Sequence, residues 1–237
     1  MVELVFSGSF YSSASDLGQS TYLFKGLLVK DIFANLFAAA VVSEFSQVRP
    51  ILLIRNPFAV AVSQSQMMGS FEGDAYNPLK VLEQPGLKDE FPSEFLELVY
   101  RKANKNPLLD RVLVWAITNY LPMKQFSYEQ VCVVFYEDLL FDPYTELEKI
   151  YRFAELDVKC GLNPPSSRGV FVKPSRVTQV DRVGLASEER LTSWQKKMPP
   201  ETYRDGIEVL KTLGLEHLYS EASMPVHGEL AKIMKVN

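Results

Sequence analysis

The segment Val48-Arg49-Pro50-Ile51-Leu52-Leu53-Ile54-Arg55-Asn56-Pro57-Phe58-Ala59-Val60-Ala61-Val62-Ser63 decides the fold. Ile51 to Ile54 form a short, continuous apolar run, the pattern of a strand buried on both faces of a sheet. The run stops abruptly at Arg55-Asn56-Pro57. Asparagine is a favoured N-cap, and proline is preferred at the first helical position, where its missing N–H would have had no partner. From Pro57 to about Met68 the residues read as helix. The segment is therefore a strand, a tight turn and a helix N-terminus, with an arginine at the C-terminal edge of the sheet. Open α/β sheets bind ligands at that edge, and a helix N-terminus beside an arginine favours an anion. Ser63, two turns into the helix, adds a hydroxyl donor if the anion lies along that face. On the residues alone, two readings stand level: an anion site, or a surface arginine closing a strand with a small serine tolerated in the helix.

Working outward, Val131 to Tyr136 form a second buried strand, followed by Glu137-Asp138-Leu139-Leu140-Phe141. Asp142-Pro143 then starts a helix that carries Leu147, Ile150, Tyr151 and Phe153 at i, i+3, i+4 spacing. Taken alone, Tyr136-Glu137-Asp138 at a strand end reads as a capped, solvated edge. Upstream, the apolar run Phe24 to Val29 ends at Lys30-Asp31 and gives way to a helical pattern through Phe33, Leu36, Phe37, Ala40 and Val41. Leu109 to Leu121 repeat at helical spacing around Trp115. Residues 69–107 hold Pro78, Pro85-Gly86, Pro92 and Pro107, with short amphipathic helices between them. That excursion reads either as a lid or acceptor wall, or as a plain surface insertion. Near the end, Gly214 reads as a helix C-cap, and residues 220–237 as a tail outside the core.

At 237 residues the chain suits a single domain spanning 1–237. A hydrophobic share of 47% and an aromatic share of 12% supply a substantial core. The net charge of −4 argues against a nucleic-acid-binding surface. Cys132 and Cys160, the only cysteines, lack metal-ligand spacing, so neither a zinc site nor a disulfide framework is expected. The apolar run from Gly26 to Phe45 contains Lys30, Asp31, Asn35 and Glu44 and reads as strand and helix, with no transmembrane segment expected. No N-x-[ST] sequon occurs, which points to a cytoplasmic protein.

The ordered motifs resemble the PAPS-dependent sulfotransferases. Arg55-Asn56-Pro57, then Val60 and Ser63, is similar to that family's 3′-phosphate motif, in which an Arg and a Ser eight positions later hold the nucleotide's 3′-phosphate. Lys30 falls where the family has a lysine at the reaction centre. Tyr136-Glu137-Asp138-Leu139, Asp142-Pro143 and the trailing Phe153-Ala154-Glu155-Leu156 resemble the family's Y-E-D-L segment, whose Tyr lies near the adenine. Trp115 and Asn119 are similar to its W-x-x-x-N helix, and Trp194 with Leu213-Gly214-Leu215 and Leu218-Tyr219 to its closing segment. Ser175, Arg176 and Arg182 fall where a segment closes over the nucleotide and supply second contacts to the 3′-phosphate. The resemblance covers roughly residues 24–219. It implies an α/β fold, a central parallel sheet flanked by helices and related to P-loop kinases. It also implies PAPS as cosubstrate, PAP as product, and sulfuryl transfer to a hydroxyl or amine of a small-molecule, carbohydrate or lipid acceptor.

Two departures matter. Ile32 stands where cytosolic members have a catalytic His, so no His-based mechanism is expected. Nothing in residues 1–22 matches the basic, Ser/Gly/Thr-rich 5′-phosphosulfate loop, and Ser7-Gly8-Ser9 has no neighbouring base. The expectations are then an active sulfotransferase whose true start lies upstream of Met1, or a degenerate, non-catalytic homologue that binds PAP or another anion or serves as an interaction domain. A related kinase-like transferase would need a G-x-x-x-x-G-K-[ST] sequence, which is absent. Acceptor identity and oligomeric state have no signal in the chain.

Overall fold

The structure is a computed structural model that describes residues 28–31, 34–66, 76–156 and 187–234. Ser175, Arg176 and Arg182 lie outside the described residues. Within them, the sheet has two parallel strands, β1 (Ile51–Ile54) and β2 (Cys132–Phe135). Their register sets Ile51 beside Cys132, Leu52 beside Val133, Leu53 beside Val134 and Ile54 beside Phe135. Side chains alternate across a strand, so Leu52, Ile54, Val133 and Phe135 share one face, and all four belong to the main core. The other face is not covered evenly. β2 is buried throughout, but Ile51 is 36% and Leu53 55% exposed, so β1 is not buried on both faces as its apolar run suggests. The reason is position. Helix α7 (Pro143–Phe153) packs on β2 and brings Glu146 and Lys149 toward Cys132, while β1 lies one strand further out.

Asparagine followed by proline starts three helices, by one piece of chemistry. Asn56 caps α2 (Pro57–Ser65), Asn77 caps α3 (Pro78–Leu82) and Asn106 caps α5 (Pro107–Gln125). In each, the asparagine Oδ1 accepts from the next two free backbone N–H groups, at 3.0 to 3.3 Å. α7 starts the same way at Asp142-Pro143, where Asp142 accepts from the Thr145 N–H at 3.2 Å. Each cap is worth about 1 kcal/mol over alanine.

Helix α5 is the central support. It packs against α2, against α9 (Pro200–Lys211), which follows the short α8 (Ser187–Thr192), and against the short turn Ala34–Phe37 that leads into α1 (Ala38–Glu44). The described part of the proline-rich stretch, residues 76–107, packs into the same core. Val81, Leu82, Phe91, Phe95, Leu98 and Val99 are all buried. Helix α4 (Ser93–Lys102) is also tied to α9 by Lys102, which reaches Asp205 at 2.7 Å and Glu208 at 2.8 Å. Here the prolines punctuate packed helices.

Residues 220–234, expected as a tail, fold back onto the core. The Val226 N–H donates to the Leu218 carbonyl at 2.9 Å, and α10 (His227–Ile233) buries Leu230, with Met234 following it inward. Leu230 and Met234 are four positions apart, a helical stripe too short to stand out in the sequence. Gly214 does end α9's overhang in the left-handed region, at φ +69°. Upstream, Leu28 to Lys30 are irregular and exposed, not the end of a strand, and Leu28 is 82% exposed. Among the described residues, no helix is long and apolar enough to cross a membrane.

Candidate functional site

The turn between β1 and α2 has most of its backbone groups paired. Asn56 is buried, and its Oδ1 accepts from Phe58 N–H at 3.0 Å and Ala59 N–H at 3.1 Å. The Val60 N–H donates to the Asn56 carbonyl at 2.9 Å, and Pro57 has no N–H. The Asn56 N–H itself donates to Glu137 Oε1 at 3.0 Å, and Trp115 Nε1–H donates to the Arg55 carbonyl at 2.9 Å. The first-turn amides are therefore already occupied. The helix end offers an anion its dipole field but no direct backbone hydrogen bonds, so direct donors have to come from side chains.

Arg55 is the nearest such donor. It is half-buried at the strand end, and its guanidinium lies 4.5 Å from the centroid of the Tyr136 ring. Tyr136 is the first residue of α6 (Tyr136–Phe141), which follows β2 directly. Parallel pairing of β1 and β2 thus sets the two residues side by side at one sheet edge. A ring face attracts the guanidinium but does not replace the in-plane acceptors its five N–H groups prefer. Among the described residues, Arg55 makes no ion pair with a carboxylate oxygen. Its donors remain available to a phosphate.

Glu137 lies under this turn and is 1% exposed, not the solvated edge its sequence context suggests. Burial pushes its carboxyl above the ordinary value, opposed by the Asn56 N–H, its own backbone N–H, the Arg55 charge and the Tyr219 hydroxyl. Tyr219 O–H donates to Glu137 Oε2 at 3.3 Å, and burial and the adjacent carboxylate hold the phenol well above its usual range. Alongside, Asp138 Oδ2 faces His227 Nε2 at 3.2 Å, and burial raises the Asp138 carboxyl against the pull of His227.

The remaining expected residues are not gathered here. Ser63 is half-buried two turns along α2, on the same side as Val60, and no contact among the described residues joins it to Arg55. Its hydroxyl has no hydrogen-bond partner among them. Lys30 sits in exposed, irregular backbone, and among the described residues it forms no hydrogen bond or ion pair with Arg55 or Tyr136. The structure thus brings Arg55 and Tyr136 together and shows no direct contact of Ser63 or Lys30 with that pair among the described residues. The supporting roles of Glu137, Trp115 and Tyr219 carry no local signal. Each is a single side chain acting across 60 or more positions of sequence.

A family model described as "Sulfotransferase domain" matches residues 34–203, the greater part of the chain. No curated protein and no solved structure matches it.

Proposed function

This chain belongs to the sulfotransferase domain family, and we propose that it takes PAPS as donor and transfers its sulfuryl group to a hydroxyl or amine, releasing PAP. Sulfuryl transfer in general follows from the family. The donor, the acceptor class and the residue roles are our reading, as is a P-loop-like sheet. In this reading Arg55 and Ser63 hold the 3′-phosphate, Tyr136 lies on the adenine side and Lys30 stabilises the bridging oxygen as charge builds on it. Ser175, Arg176 and Arg182 would close over the 3′-phosphate. The acceptor would be a small molecule, a carbohydrate or a lipid.

The observation that carries the reading is Arg55 itself. It is a half-buried guanidinium at the C-terminal end of a parallel strand, over an aromatic ring and without a carboxylate partner among the described residues. With the helix amides occupied, a phosphate would depend on this side chain. An Arg–phosphate contact is charge-assisted and worth about 1.5–3 kcal/mol, a hydroxyl about 0.5–1.5. Arg55→Ala should therefore weaken PAP binding by about 10- to 150-fold, and Ser63→Ala by about 2- to 10-fold. Titration calorimetry with PAP and with AMP, which lacks the 3′-phosphate, separates this from general weakening. Arg55→Ala should abolish the preference for PAP over AMP. An unchanged preference would refute the assignment.

A second reading rests on Lys30. Exposed irregular backbone is a poor support for a catalytic lysine, which favours a homologue that binds PAP without turnover. Transfer of labelled sulfate from PAPS, lost in Lys30→Ala, decides for the enzyme. PAP binding with no transfer decides for the binding protein.

A further inference from the structure

The peptide unit that joins Arg55 to Asn56 is held from both sides. A trans peptide is planar and aims its C=O and N–H in opposite directions. Here the Arg55 carbonyl accepts from Trp115 Nε1–H at 2.9 Å, and the Asn56 N–H donates to Glu137 Oε1 at 3.0 Å. Trp115 belongs to α5, and Glu137 to the first turn of α6. Glu137 follows Tyr136, whose ring faces the Arg55 guanidinium. Two consecutive residues therefore hold the backbone and the head group of the same arginine.

The second oxygen of Glu137 is held from much further along the chain. Tyr219 O–H donates to Oε2 at 3.3 Å, and the Tyr219 ring meets Phe135 edge-on at 5.9 Å between centroids. Tyr219 lies on a turn closed by two bonds, Ser220 N–H to the Met224 carbonyl at 2.8 Å and Val226 N–H to the Leu218 carbonyl at 2.9 Å. Trp194 Nε1–H donates to Ser223 Oγ on the same turn at 3.0 Å. This turn lies beyond residues 34–203, the part of the chain that the family model matches. The terminal torsion of a glutamate is soft, so a bond to each oxygen is what fixes the carboxylate. Without the hydroxyl, Glu137 loses that clamp and its hold on the Asn56 N–H loosens.

We propose that Glu137 and Tyr219 are positioning residues for Arg55. The turn from Leu218 to Val226 clamps the carboxylate, the carboxylate fixes the Arg55–Asn56 peptide, and the peptide aims the guanidinium at the nucleotide's 3′-phosphate. The proposal rests on the assignment of that phosphate to Arg55 and adds to the site a component from outside the matched segment.

Titration calorimetry on the full chain with PAP and with AMP tests it. Tyr219→Phe keeps the ring and removes only the hydroxyl. It should lower the preference for PAP over AMP by about 2- to 10-fold, the equivalent of one hydrogen bond, and leave AMP affinity in place. Glu137→Ala should lower the preference by about 10-fold or more. Glu137→Gln, which keeps an oxygen for the Asn56 N–H, should restore it to within about 2-fold of the native chain. A role confined to stability would weaken both nucleotides together and leave the preference unchanged. If the native chain shows no preference, or Arg55→Ala does not abolish it, the nucleotide reading is refuted and the proposal with it. If Arg55→Ala abolishes the preference but Tyr219→Phe keeps it in full, or Glu137→Gln loses it as Glu137→Ala does, the proposal alone is overturned. Should Glu137→Ala fail to fold, Tyr219→Phe decides by itself, and an undiminished preference overturns the proposal.

Discussion

Removing the carboxylate under the Arg55 turn separates two things that Glu137 does, accepting hydrogen bonds and carrying charge. In Glu137→Ala, the buried Asn56 N–H loses its acceptor among the described residues and the Tyr219 hydroxyl loses the Glu137 carboxylate. A buried, orphaned donor costs about 1–3 kcal/mol, so with the half-buried Tyr219 hydroxyl the loss should reach about 2–4 kcal/mol. For a chain of this size that lowers Tm by about 4–16 °C. Glu137→Gln keeps an oxygen for the Asn56 N–H, and its amide faces a hydroxyl that can accept, so its cost should stay below about 1 kcal/mol.

The pH dependence distinguishes charge from shape. Glu137 is raised above 4.5 in the folded protein, chiefly by burial, so folding favours its protonated form. The stability this contributes is fully present below the unfolded value and is lost as pH rises through the folded one. Glutamine does not titrate. Thermal unfolding of both proteins should show Glu137→Gln gaining on the native chain as pH rises above 4.5 and levelling off once Glu137 is ionised. A difference that stays flat with pH, or Glu137→Ala melting with the native protein, would refute the reasoning.

Two other substitutions probe the same turn from different sides. Trp115→Phe removes the donor to the Arg55 carbonyl, and should cost about 1–3 kcal/mol and weaken PAP binding, read by differential scanning fluorimetry and calorimetry. Gly206→Ala places a methyl 2.5 Å from Phe58 Cε1, a ring already packed by Trp194 and Tyr203. A mid-helix glycine normally gains up to about 1 kcal/mol on becoming alanine, but here overpacking by about 1–3 kcal/mol should win and lower Tm.

What was legible in the sequence was local. The Asn-Pro cap at Asn56, the Asp142-Pro143 helix start, the Gly214 C-cap and the two apolar strand runs each depend on neighbouring residues, and each has its predicted backbone. The errors concern what the rest of the chain does to a segment. Ile51 and Leu53 are as apolar as Leu52 and Ile54, but only the second pair meets the core. The Glu137 side chain has the composition of a solvated edge, yet Asn56 and Tyr219 come from far away to enclose it. Residues 76–107, part of the stretch read as a lid, an acceptor wall or a surface insertion, give no core signal in sequence because proline interrupts them. The stripe Phe95, Leu98, Val99 that binds them to the core is visible only once α5 and α9 are in place. Of the expected site, the Arg55–Tyr136 pairing follows from two motifs at the ends of adjacent parallel strands. Lys30 had no such anchor.

The order in which the turn at Arg55 is completed has a consequence for how the chain is made. Asn56 leaves the ribosome early, but the carboxylate that fixes its N–H is 81 positions later, and the hydroxyl on that carboxylate a further 82. At ordinary synthesis rates of about 5–20 residues per second, the turn waits on the order of ten seconds or more for its last support. Until β2 (Cys132–Phe135) is made, Arg55 belongs to an unpaired strand with Ile51 and Leu53 on it, the kind of edge that recruits other chains. A nascent chain stalled before Cys132 should therefore depend on chaperones, although Arg55 and Ser63 have already been made.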